Sequence, residues 1–270
     1  MTVSPHLISS ASNPRIKMLR SLERKKGRSE TGLFLVEGVR LVEQAIQAGW
    51  EVDTLVISNS GAELNFVQDL IRRVAQAGAS VLQVPDRLAG SIARKDNPQS
   101  VIAAIRQRSF DLESLDASDQ RLWLGLYECR DPGNLGTILR TADCAGAAGV
   151  ILIGQCCDPY SLEAVRASMG SLFDVSVAKA DFETFEPWRR AAGFRMVAAS
   201  VNGTDRHVDV DFKQPSLILM GNEQKGLPQD VEAQCDKLCL IPMRGGADSL
   251  NLAQATAIMV YESWRQQGFA

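Results

Sequence analysis

The chain has 270 residues, 45% of them hydrophobic, and a formal net charge of −3. That is enough apolar material for one large core or two smaller ones. No apolar run approaches a membrane span and the N-terminus lacks a signal-peptide core, so a soluble cytoplasmic protein is expected.

Histidine is nearly absent: only His6, near an expected loose terminus, and His207 occur. Hydrolysis on a histidine base and histidine-rich metal chemistry are therefore unsupported, and no metal is expected. The six cysteines are Cys129, Cys144, Cys156, Cys157, Cys235 and Cys239. No C-x-x-C pair occurs, and Cys235-x-x-x-Cys239 lacks histidines to complete a site, so reduced, mostly buried thiols are expected. Charge is uneven. Residues 1–110 hold 15 Lys and Arg against 10 Asp and Glu, and residues 1–28 hold seven bases against one acid. Such asymmetry suggests an end that faces nucleic acid, with a solvated helix face as the alternative.

In chain order, Asn13-Pro14 reads as a helix cap followed by proline at the first helical position, opening a basic helix over 13–26. Ile16, Leu19 and Leu22 form its apolar stripe. "LFLVEG" (33–38) predicts a strand, 39–48 a helix, "DTLVIS" a strand, 62–77 a helix, and "SVLQVP" and "SVIAAIR" strands. Strands alternating with helices predict an α/β unit with a largely parallel sheet, complete by residue 108. The polar, acidic stretch 109–120 is the expected linker.

A second α/β unit over 121–270 opens with "RLWLGLY". Its strands are "GVILIG", "FDVSV", "RMVAAS", "SLILMG" and "LCLIPM", and its last helix runs over 251–267. Three of its segments follow strand ends, where open α/β sheets bind ligands. In "YECRDPGNLGTILRTADCAG" the turn residues Asp131-Pro132-Gly133-Asn134 open a helix that carries Arg140. "LILMGNEQKGLP" holds Gly221 and Glu223. "LIPMRGGADSLNLAQATAI" holds two glycines, then Ser249, Leu250 and Asn251, and either Ser249 or Asn251 is expected to cap the last helix. Neither a nucleotide-triphosphate loop nor G-x-G-x-x-G is present. Each segment alone also suits a plain turn, cap or solvated charge.

Together, "NLGTILR", "MGNEQKGL" and "IPMRGGADSLNLAQATAI" resemble, in order and spacing, the three motifs of the SpoU–TrmH family of RNA ribose 2′-O-methyltransferases, within the SPOUT superfamily. "DPYSLEAVRASMGSLFDVSV" resembles the segment which that family carries between its first and second motifs. The resemblance covers the second unit, and the leading unit resembles, more loosely, the family's smaller α/β substrate-binding domain. It implies a C-terminal α/β domain with a deep trefoil knot, which composition could not suggest.

It further implies S-adenosylmethionine as cofactor, held around Leu219, Gly221, Ile241 and Leu250. The implied catalytic arginine is Arg140, supported by Asn134, Glu223, Ser249 and Asn251. A homodimer and an RNA substrate follow, with ribosomal RNA favoured over transfer RNA, and with no DNA and no membrane. Arginine stays protonated, so Arg140 is read as pairing with the target phosphate and stabilising the developing alkoxide, the proton leaving to that phosphate, to water or to Glu223. Arg15, Lys17, Arg20, Arg24, Lys25 and Lys26 are read as gripping the RNA backbone. A non-catalytic RNA-binding or ribosome-assembly protein of the same fold is the alternative; a nucleotide-binding oxidoreductase is the weaker one.

Overall fold

The structure, a computed structural model, describes residues 5–93, 100–108, 110–116, 118–119 and 121–269. The chain divides into two compact units: Met1–Arg108 with Tyr160–Phe173, and Ser109–Pro159 with Asp174–Ala270.

The first unit runs β1 (His6–Leu7), α1 (Pro14–Ser21), α2 (Lys25–Thr31), β2 (Leu33–Glu37), α3 (Val39–Gln47), β3 (Val52–Ser58), α4 (Asn59–Ala62), α5 (Asn65–Gln76), β4 (Ser80–Val84), α6 (Asp86–Ala93) and β5 (Val101–Arg106). Its sheet has the order β1-β4-β3-β5-β2. Four readings from sequence need correction here. His6 is held in β1, parallel to β4, rather than in a loose terminus. β5 lies antiparallel to both β2 and β3, so the sheet is mixed. All but the last residue of β5 is buried, and an apolar run of that kind carries no sign of strand direction. The helix read over 62–77 begins only at Asn65, as α5, and a separate short helix, α4, ends at Ala62.

The basic 13–26 helix is also broken. Asn13 caps α1 by accepting from the Arg15 N–H at 2.9 Å, as read. α1 then stops, because buried Arg28 turns back and donates to the carbonyls of Leu22 (2.9 Å) and Glu23 (2.7 Å). Gly27 lies so close to Ser21 that a Cβ would sit 2.2 Å from its carbonyl oxygen. Ile16, Leu19 and Leu22 close over the sheet with Leu35, Val56, Leu82 and Ile102.

The second unit runs β6 (Trp123–Tyr127), α7 (Pro132–Cys144), β7 (Gly149–Ile153), β8 (Ser176–Ala180), α9 (Phe182–Ala191), β9 (Arg195–Ala199), β10 (Asp205–Arg206), β11 (Ser216–Met220), α10 (Gln229–Glu232), β12 (Lys237–Leu240) and α11 (Leu252–Gln266). The sheet order is β10-β12-β9-β11-β6-β7-β8, every pairing parallel. α7 and α11 pack on each other. Leu112, in the stretch read as a linker, is buried with Trp123, Ile151, Phe185 and Leu217.

Tyr160–Phe173, with the short helix α8 (Leu162–Ser168), belongs to the first unit, although its sequence lies inside the second. Tyr160 Oη accepts from the Arg108 N–H (2.8 Å) and donates to the Arg108 carbonyl (2.9 Å). Trp50 Nε1 donates to the Phe173 carbonyl at 3.1 Å. Phe34 and Tyr160 rings lie 4.5 Å apart, and Trp50 meets Phe173 edge-on at 5.5 Å. Arg166 grips buried Glu37 with bonds of 2.7–2.9 Å. Phe173, read as the start of a strand, therefore closes this cluster, and β8 begins at Ser176.

Candidate active site

Three loops carry the motifs, leaving the C-terminal ends of β6, β11 and β12. The first turns sharply: Glu128 adopts φ +49°, a left-handed conformation that costs a non-glycine residue energy. Asp131 caps α7 by accepting from the Asn134 N–H at 2.7 Å, with Pro132 behind it. Asn134 then stands in the first turn of α7, and Arg140 lies exposed further along it. No side-chain partner holds Arg140 among the described residues.

Glu223 fastens the second loop to the first. Its Oε1 accepts from the N–H of Arg130 (3.1 Å) and of Asp131 (3.0 Å) and from the Cys129 thiol (3.4 Å). Its Oε2 accepts from the Arg130 N–H (3.2 Å) and Asn222 Nδ2 (3.3 Å). Burial pushes the carboxyl up, but the backbone N–H donors, Asp131's foremost, outweigh it and hold Glu223 below the usual carboxylate range. A carboxylate so engaged is a poor proton acceptor. Glu223 is thus a positioning residue for the turn that launches α7.

Gly221 is required by its own loop. A Cβ there would lie 2.5 Å from the Gly226 carbonyl carbon, because Asn222 and Gly226 bond each other in both directions at 2.9 and 3.0 Å. The loop's return on itself is what requires the glycine. Leu219 is fully buried, its side chain in the core. Ile241 is half-buried.

The third loop joins the first through one side chain. Asn251, not Ser249, caps α11: its Oδ1 accepts from the N–H of Ala253 (2.9 Å) and Gln254 (3.3 Å). That fixes the amide, and Nδ2 donates to Asn134 Oδ1 at 2.9 Å. With its oxygen occupied, Asn134 keeps Nδ2 as a free donor among the described residues. Residues 242–250 are exposed, including Met243 (45%), Leu250 (38%) and Ser249. Their backbone N–H and C=O groups have no protein partner among the described residues. A loop of free backbone donors and acceptors with exposed apolar side chains suits a ligand with polar edges and an apolar body, as an adenosyl sulfonium has. The residues implied by resemblance fit that group.

Sequence reasoning passed over Asn222. Asn222 shapes its loop by donating to the Glu128 carbonyl (2.8 Å) and accepting from the N–H of Gln224 and Lys225 (3.0 Å each); an Asx turn was the available signal. Of the thiols only Cys129 and Cys239 are buried and Cys144 is exposed, against the expectation of mostly buried cysteines. A cleft lined by Arg121, Asp143, Cys144, Val260, Ser263 and Trp264 lies at the far end of α7 from Asn134 and takes no part in this site.

The model of the MRM3-like substrate binding domain matches residues 13–103. A crystal structure of an AdoMet-bound rRNA methyltransferase from Sinorhizobium meliloti shares 43% identity at a TM-score of 0.90, covering 96% of this chain and 97% of that one. The 23S rRNA (uridine(2479)-2′-O)-methyltransferase of Streptomyces viridochromogenes is 34% identical over 255 residues, 91% of this chain and 87% of its own length. The tRNA (cytidine(34)-2′-O)-methyltransferase of Ancylobacter novellus is 36% identical over 149 residues, which is 54% of this chain and 94% of its own length. The model of the SpoU rRNA methylase family matches residues 121–261, and with the three motif loops drawn together by Glu223 and Asn251 the chain belongs to that family.

Proposed function

We propose that this protein transfers a methyl group from S-adenosylmethionine to a ribose 2′-hydroxyl of ribosomal RNA. The observation that carries the reading is the Asn251–Asn134 bond at 2.9 Å, which ties the helix of Arg140 to the loop of free backbone groups at residues 242–250. The relative named for 23S rRNA spans both units of this chain, and the one named for tRNA spans little more than half of it. That contrast favours ribosomal RNA.

The cofactor supplies an electrophilic methyl on a sulfonium; the chain supplies position and charge. Backbone groups around Leu219, Gly221, Ile241 and Leu250 hold the donor. Arg140 presents its fork to the target nucleotide's phosphate and stabilises the alkoxide as it forms. Asn134 Nδ2 and the Ser249 hydroxyl orient the ribose, and the proton passes to the phosphate or to water. Holding two reactants in line contributes up to roughly 7–11 kcal/mol.

In the first unit, exposed Arg15, Lys17, Arg24, Lys25 and Lys26 contact the RNA backbone. Half-buried Arg20 donates to Ser91 Oγ and has no carboxylate partner among the described residues. It lines a cleft of about 450 Å³ with Arg24, Ser21, Glu23 and Ser91. One carboxylate against two guanidinium groups leaves that cleft net positive and suited to a phosphate. The reading includes the deep trefoil knot, a cytoplasmic location and a homodimer, supported by the exposed Ile258 and Tyr261 of α11. No helix among the described residues is long and apolar enough to cross a membrane.

The test is transfer of labelled methyl to rRNA, tRNA and immature ribosomal particles from a strain lacking the protein. Label in rRNA, alkali-stable at one linkage and lost with Arg140→Ala, is expected. Arg140→Lys keeps the charge without the fork and should lose about tenfold or more in kcat. Label in tRNA alone, or none in any pool, would overturn the reading.

A further inference from the structure

Cys129 and Cys157 leave the ends of adjacent strands, β6 and β7. The Cys157 N–H donates to the Cys129 carbonyl at 2.7 Å. A backbone bond of that kind holds two Cα atoms at about the separation that a disulfide spans, roughly 5–6 Å. The two side chains lie near enough for each to alter the acidity of the other. Cys129 is fully buried and its S–H reaches Glu223 Oε1 at 3.4 Å. Cys157 is half-buried, open to a small reagent. The neighbouring Cys156 points its sulfur instead at the carbonyls of Leu126 (3.3 Å) and Ile153 (3.4 Å).

These thiols differ in chemistry. The neighbouring Cys129 thiol makes Cys157 more acidic than an ordinary thiol despite its burial. Cys157 beside it and burial raise Cys129, and burial pushes Cys156 up to about 11. An accessible, acidified thiol beside a buried resolving thiol is the arrangement of oxidation-sensitive sites.

We propose that Cys157 and Cys129 are a modification site, a thiol pair that peroxides close into a disulfide, and that closure slows methyl transfer by taking the Cys129 S–H away from Glu223. The second half rests on the proposed function, with Glu223 holding the turn before α7. The Cys157 thiolate attacks a peroxide oxygen, the O–O bond breaks, and a sulfenic acid forms as hydroxide leaves. The Cys129 sulfur then attacks the Cys157 sulfur. The S–S bond forms and the sulfenyl oxygen departs as water with the Cys129 proton. The two thiols give up two electrons and the peroxide takes them.

Reduced full-length protein would be treated with hydrogen peroxide, alkylated, and mapped by non-reducing peptide mass spectrometry beside the methyl-transfer assay. A Cys129–Cys157 disulfide is expected, with turnover down about tenfold, as for loss of a bond to a charged group, and restored by dithiothreitol. Cys157→Ser should be active and keep its activity after peroxide, and Cys144→Ser should still be inactivated. Free Cys129 and Cys157 after treatment, a disulfide without loss of turnover, or equal inactivation of Cys157→Ser would each overturn the proposal. An inactive reduced protein would overturn the proposed function alone, because the peptide map still decides whether the pair closes.

Discussion

Asn251 does two jobs with one amide. Its oxygen ends α11 by taking two backbone N–H groups, and its nitrogen fixes Asn134. The two jobs can be separated. Asn251→Asp keeps the capping oxygen but points a second acceptor at Asn134 Oδ1, so the helix survives while the site loses its link. We expect a thermal midpoint within about 2 °C of wild type and at least about a tenfold fall in kcat/KM. Asn251→Ala should lose both, at a cost of about 1 kcal/mol of stability. Differential scanning calorimetry beside the methyl-transfer assay reads both quantities; an active Asn251→Asp would sink the linking role. The cap at Asn13 was legible in sequence, and Asn251 was one of two candidates there, because capping is a local matter of a few residues. The partner of Asn251, 117 positions away, was not.

At the scale of elements, the strands of the second unit were legible as apolar runs, but what ties them to the helices was not. Arg189 on α9 is buried and makes paired bonds to Glu186 (2.6 and 2.9 Å), one to the Phe194 carbonyl (2.7 Å) and one to Asp236 (2.8 Å). Asp236 in turn accepts from the Met196 N–H at 2.8 Å, fixing the start of β9 beside β12. Burial raises the Glu186 carboxyl, yet Arg189 and Arg190 hold it below its ordinary value. Removing one partner strands a buried charge, so Arg189→Ala should cost about 3–5 kcal/mol, read as a shifted urea midpoint. A loss under about 1 kcal/mol would mean that water replaces the guanidinium. The basic helix taught a related lesson. Arg28 reads as one more base of the charged stretch, yet it is buried and ends α1, since the same side chain serves solvent or backbone depending on what folds over it.

On the scale of the molecule, the chain borrows from its second half to complete its first unit. Glu37 is 6% exposed, and its partner Arg166 arrives with Tyr160–Phe173. Glu37→Gln removes the charge that Arg166 grips and should cost the first unit about 2–3 kcal/mol, discounted for the partial exposure of Arg166. Hydrogen exchange should quicken in β2 and β5 while β6 and β7 of the second unit keep their protection. Equal quickening in both sheets, or in neither, would contradict the assignment of the segment.

Sequence by itself determined the α/β class, most of the strands of the second unit, its last helix, the three motif loops and the family, because periodicity, capping and motif spacing are properties of neighbours along the chain. Tertiary structure alone decided the antiparallel placement of β5, the borrowed segment, the role of Gly221 in closing its own loop, and the bonds by which Glu223 and Asn251 bring the motifs together. Those depend on which surfaces meet across tens to hundreds of residues, and a one-dimensional pattern carries no record of its partner.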